Sequence, residues 1–110
     1  MPETRKVLGQ KSHVAGVLET VYTVGPSAQA VVSTIVVCNT GATESVWRLS
    51  VAVGGAADSI EQHIYSGLPL QGYDTFSMTE GYTLNAGDEV RCLSSEAGLA
   101  FSVFGVEITP

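Results

Sequence analysis

Hydrophobic and polar positions alternate with a period of two along most of this chain, and turn clusters break the alternation every 8–12 residues. That rhythm is the signature of short strands in a sandwich or barrel. The clearest stretch spans residues 30–53, where AVVSTIVVCN and SVWRLSVAVG flank the polar break TGATE. Both runs are rich in β-branched residues, so they predict two strands paired as antiparallel neighbours. In the first run apolar side chains fill both faces, Val31, Ile35 and Val37 against Val32, Val36 and Cys38, which predicts a central or doubly covered strand. In the second, Trp47, Leu49, Val51 and Val53 alternate with Arg48, Ser50 and Ala52, which predicts one core face and one wet or partner-facing side.

The same grammar places strands over 14–24, 60–66, 75–79, 89–93 and 99–108. A helical turn competes at 60–66, and Leu68-Pro69-Leu70 reads as an edge or connector. Asn85-Ala86-Gly87-Asp88 is a tight turn in which Gly87 suits positive φ and Asp88 bonds its own backbone. In the last strand the apolar set changes parity from Leu99, Phe101 and Val103 to Phe104, Val106 and Ile108, which predicts a bulge or bend near Gly105. The expected fold is all-β: a single antiparallel β-sandwich, jelly-roll-like, of seven or eight strands. Residues 1–12 are expected as an extended N-terminal arm and residues 13–110 as the sandwich domain.

Charge sharpens that division. Arg5, Lys6 and Lys11 lie in the first eleven positions, whereas beyond them only Arg48 and Arg91 are basic, against ten acidic residues. A mildly basic arm on an acidic body suggests docking on a neighbour, and the apolar pair Val7 and Leu8 favours docking over simple solvation. Arg5, Lys6, Val7 and Leu8 are therefore the candidate partner-binding residues. The net charge of −6 argues against nucleic-acid binding, which needs a basic face to displace counterions.

With 110 residues the chain supports one domain with one core. Charged residues make up only 15% while mean hydropathy is +0.24, so much neutral surface is left for a protein partner. No window reaches the roughly 18–20 apolar residues of a membrane span. The opening MPETRKVLGQKS has no apolar core like that of a secretory signal, so cytoplasmic synthesis without membrane insertion is expected.

Candidate chemistry is sparse. His13 and His63 lack ligand spacing, Cys38 and Cys92 form no C-x-x-C pair, and no G-x-S-x-G elbow or strand–glycine–helix phosphate cradle occurs. Cys38 and Cys92 read as small buried hydrophobes, with a disulfide as the alternative. Asp58, Asp74, Asp88 and Glu96 occupy turns without D-x-D-x-D spacing, so no calcium site is expected. Trp47 reads as a core residue, and Tyr65, Tyr73 and Tyr82 as candidates for interface anchors or ligand contact. The expectation is a protein without enzymatic activity, cofactor or metal.

Three segments carry a resemblance: KVLGQ at 6–10, VYTVGPSAQAVVSTIVVCNTGAT at 21–43, and YTLNAGDEVRCLSSEAGLAFSVFGVEI at 82–108. In order along the chain they resemble a family of small tailed-bacteriophage virion proteins. That family has a K-x-L-G-Q opening, a Y-T-V-P-x-G turn, a V-V-x-x-I-V-V-C-N strand with N-x-G, and a closing F-x-x-F-G-x-E. Gly25-Pro26-Ser27 departs from the Pro-x-Gly order of that turn. The resemblance implies a virion structural protein, with a capsid decoration (cement) protein favoured: a homo-oligomer, a trimer by preference, bound to the major capsid protein or another virion protein on the capsid exterior. A β module of a neck, collar, tail fibre or baseplate, with receptor or carbohydrate binding, is the alternative.

Overall fold

The computed structural model describes residues 3–12 and 15–109, with Glu80 described by its backbone alone. Among these residues eight strands follow one another: β1 (Glu3–Ser12), β2 (Glu19–Thr23), β3 (Gln29–Asn39), β4 (Ser45–Ala52), β5 (His63–Leu70), β6 (Thr75–Leu84), β7 (Glu89–Ser94) and β8 (Leu99–Ile108). They form two four-stranded sheets, ordered β1-β8-β3-β6 and β2-β7-β4-β5, with every pair antiparallel. Eight strands wound in this order make a jelly roll. No helix among the described residues is long and apolar enough to cross a membrane.

Between the sheets lies one core, whose largest fully buried side chains include Trp47, Phe101, Ile35 and Leu49. Trp47 sits at its centre, with ring centroids 5.1 Å from Phe76, 5.4 Å from Tyr65 and 6.1 Å from Phe101. These tilted and edge-on arrangements are the ones that aromatic quadrupoles favour. Tyr65 on β5 and Phe76 on β6 belong to opposite sheets, so the aromatic cluster closes the sandwich along that side.

The expected pairing of the runs at 30–39 and 45–53 does not occur. β3 pairs with β8 and β6, whereas β4 pairs with β7 and β5 in the other sheet. The break between them is a corner that crosses the sandwich. Asn39, buried at 1% exposure, builds it: its Nδ2 donates to the carbonyls of Thr43 (2.9 Å) and Leu70 (3.2 Å), and its Oδ1 accepts from the Gly41 amide (3.0 Å). A buried side chain that satisfies three backbone groups lets the chain leave one sheet without orphaned polar atoms.

Residues 3–12, expected as an arm outside the body, are extended but laid down as edge strand β1, paired with β8 from Glu3↔Ile108 to Ser12↔Ala100. β8 would otherwise expose a long row of unpaired backbone groups, and pairing satisfies them. The expected bulge near Gly105 is found at that level, but its extra residues lie in the neighbours of β8. Leu8 is the additional residue between Val7↔Phe104 and Gly9↔Val103, and Ser33 is the additional one between Val32↔Gly105 and Thr34↔Phe104. The Ser33 bulge also resets the parity of β3, so that Val32 and Ile35 both face the core.

Elsewhere the differences are smaller. Residues 60–62 form a 3-10 turn, the competitor at that position, and β5 then continues through Pro69, which the edge of a sheet tolerates. Val53, expected on the core face of β4, lies beyond the strand end in a 3-10 turn and is 73% exposed.

Candidate functional site

The two outer faces of the sandwich differ in what covers them. On the second sheet, the connection between β4 and β5 (residues 53–62) folds back over the strands. Arg91 on β7 holds it, donating from Nη1 to the Ala56 carbonyl (2.7 Å) and from Nη2 to the Gly55 carbonyl (3.1 Å), while its Nε meets Glu89 at 3.2 Å. Arg48 on β4 adds an ion pair with Asp58 at 3.0 Å. His63 lies 3.9 Å from the same carboxylate and 3.2 Å from the Ser66 hydroxyl. Ser50 pairs with Arg91 on the outward register, and Ala52 with Glu89, yet both are fully buried. The loop has taken the place of solvent there. Asp88 ties down its far side, accepting from the Gly54 amide (2.8 Å) as well as from the Asn85 amide in its own turn (2.9 Å).

Among the described residues no such cover lies on the first sheet. Its outward register runs through Arg5 and Val7 on β1, Phe104 and Val106 on β8, Val31 and Val36 on β3, and the hydroxyl residues Ser77 and Thr79 on β6. Val7 is 46% exposed, and Phe104 and Val106 are half-buried. Together with Arg5, Lys6, Ser33 and Gly105, these three line a shallow concavity between β1 and β3. Its aliphatic side chains and low charge match the depletion of charge at an interface core.

Of the four candidate partner-binding residues, the structure brings three to this concavity. Arg5 and Val7 stand on the outward register, and Lys6 reaches Glu107 at 3.5 Å. Leu8 does not belong with them. Its position at the bulge turns it into the core at 8% exposure, and a Cβ placed on Gly105 would come within 3.1 Å of its Cδ1 and 2.0 Å of the Val31 carbonyl oxygen. Leu8 therefore acts as the plug that locks β1 onto the sandwich through the space Gly105 leaves. Phe104, Val106 and Ser33, the residues that complete the concavity, were legible only as strand positions, because which face they occupy depends on the bulges.

Solved structures similar to this chain include three from viruses and phage sequences. A chain from the structure of infectious bursal disease virus Gx strain aligns with TM-score 0.56 and 11% identity, covering 96% of this chain and 32% of that one. This protein thus spans about a third of that chain's length, and the likeness is one of fold. Two crystal structures of a pentameric capsid protein isolated from metagenomic phage sequences align with TM-score 0.37 and 17% identity, covering 94% of this chain and 62% or 67% of theirs. No protein-family model and no curated protein matches the sequence.

Other chemistry stays dispersed. No group of three or more His, Cys, Asp or Glu that could hold a metal ion occurs among the described residues. Both cysteines are free thiols. Cys38 is half-buried on the outward register of β3 opposite Ala100, whereas Cys92 is fully buried. Burial, and then the negative charge of its neighbour Glu19, push the Cys92 thiol up to about 12, with Lys11 acting weakly the other way. Tyr22 is likewise raised by burial and then by Glu107, whose Oε2 accepts its hydroxyl at 2.8 Å. His13 lies outside the described residues. Among the candidate anchors, Tyr65 and Tyr82 are partly buried with hydroxyls 3.5 Å apart, and only Tyr73 projects, at 75% exposure.

Proposed function

We propose that this protein is a structural component of a virus particle: a capsid decoration (cement) protein of a tailed bacteriophage that binds the assembled shell from outside through contacts between its own copies and through β1. The observation that carries this reading is the open outer face of the first sheet, which ends on Arg5, Lys6 and Val7. The chain's own β4–β5 connection covers part of the other outer face, so the first sheet offers the broader open surface for assembly. The jelly-roll order supports it, as does the fold likeness to a chain of a virus structure. A protein that binds only the assembled shell stabilises it by mass action. The role is non-enzymatic, and its partners are other copies of itself, three by preference, and the major capsid protein.

The test is copy number per particle, measured by quantitative mass spectrometry of purified virions against the major capsid protein. A ratio near one to one, or one to a few, is expected. A ratio far below that would move the protein to the neck, collar, tail fibre or baseplate.

A further inference from the structure

Four of the five basic side chains are paired: Lys6 with Glu107, Lys11 with Glu19, Arg48 with Asp58 and Arg91 with Glu89. Arg5 has no carboxylate within ion-pair distance among the described residues. It stands opposite Val106 at the rim of the apolar concavity on the first sheet. The opposite imbalance occurs at the end of the sandwich where the β3–β4, β5–β6 and β7–β8 connections meet. There Glu44, Asp74 and Glu96 are exposed, and none has a cation among the described residues.

That end is rigid. The Thr40 amide donates to Gly98 (2.9 Å), the Tyr73 amide to Gly41 (3.0 Å), and the Gln71 side-chain amide to Glu44. Tyr73 projects from it with φ of 61°, a left-handed conformation that is strained for a bulky side chain. An exposed aromatic on a hydrogen-bonded turn needs little backbone reordering to dock.

We propose that the Arg5–Val7–Phe104–Val106 concavity receives this loop end from a second copy, with Tyr73 entering over the apolar floor and Arg5 facing the acidic rim. Charge decides the occupant. Two loop ends repel each other, and Arg5 is the cation left unpaired among the described residues. Nor can a chain fill its own site: on β8 the loop end begins at Leu99 and the concavity lies at Phe104–Val106, roughly 17–24 Å along the strand. The contact joins two different patches, so it is heterologous and builds a ring or an open array of copies. It names the surface behind the self-association in the proposed function and rests on that part of it.

Sedimentation velocity of the purified full chain, over a range of concentrations at low and high salt, tests it. Concentration-dependent association that weakens with salt is expected. Arg5→Glu should raise Kd by at least about tenfold, and adding Glu44→Arg with Glu96→Arg should recover much of the loss. Tyr73→Gly relieves the left-handed strain, so it should keep the thermal midpoint of the wild type while weakening association by about tenfold or more. A chain that stays monomeric, an Arg5→Glu or Tyr73→Gly variant that associates like wild type, or charge reversals that fail to rescue would each overturn the contact. A monomeric chain that is abundant in virions would leave decoration standing and remove this contact. An associating chain absent from virions would do the reverse.

Discussion

The outer faces of the two sheets begin from the same β alternation and end covered to different degrees. On the second sheet, Arg48 and Arg91 turn outward and bind a ten-residue connection down over the strands, so that outward Ser50 and Ala52 are fully buried. On the first sheet, Val31, Val36, Phe104 and Val106 turn outward, and among the described residues no loop covers them and no carboxylate pairs with Arg5. The difference teaches that hydrophobicity alone does not mark the closed face. Arginine, by satisfying carbonyls and carboxylates together, closes a polar face from within. An aliphatic and hydroxyl face stays open until another molecule covers it.

Both faces rest on one core, so the largest effect should erase the contrast altogether. Trp47→Ala removes the ring that contacts Tyr65, Phe76 and Phe101, and should lower unfolding free energy by about 3–5 kcal/mol in urea titration. Next in size, Arg91→Ala strips the donors from the Gly55 and Ala56 carbonyls and the cation from Glu89, a loss of about 2 kcal/mol. The matched change on the open face, Arg5→Ala, should stay within about 0.5 kcal/mol. Equal losses from the two arginines would end the distinction between a closed face and an open one.

Alkaline pH should probe the interior between the faces. The Cys92 thiol is raised in the fold from its usual 9.0 to about 12, so the folded state holds a proton that the unfolded chain releases. Its stabilising contribution is complete below pH 9.0 and is lost as pH rises toward about 12. Tyr22, also raised, works in the same direction. Unfolding free energy should therefore fall over this range, and Cys92→Ala should flatten the fall. The smallest effect is on labelling: in the native protein a thiol reagent should modify Cys38 on the open face well before Cys92, and denaturation should equalise them.

Much of this was legible in the residues. The strands at 30–39, 45–53, 89–93 and 99–108 lie within a residue or two of β3, β4, β7 and β8, because β-branched alternation between turn formers is a local property. Trp47 was legible as core from its parity with Leu49, and Asp88 as a turn former from its place after Gly87. The candidate surface was half legible. Arg5, Lys6 and Val7 reach it, but Leu8 follows the bulge inward, and only one buried apolar residue on β1 leaves a faint signal for a strand.

What the chain determined by itself, then, is where it extends, where it turns and which side chains are apolar enough to seek a core. Which strands become neighbours was decided by the tertiary structure. TGATE reads equally well as a hairpin turn or as a corner between sheets, and the choice falls to the corner because two sheets must close over one set of inward residues. The faces were decided there too. An extra residue at Leu8 or Ser33 inverts the parity beyond it, and its location is set by how β1 and β3 fit against the unbroken β8.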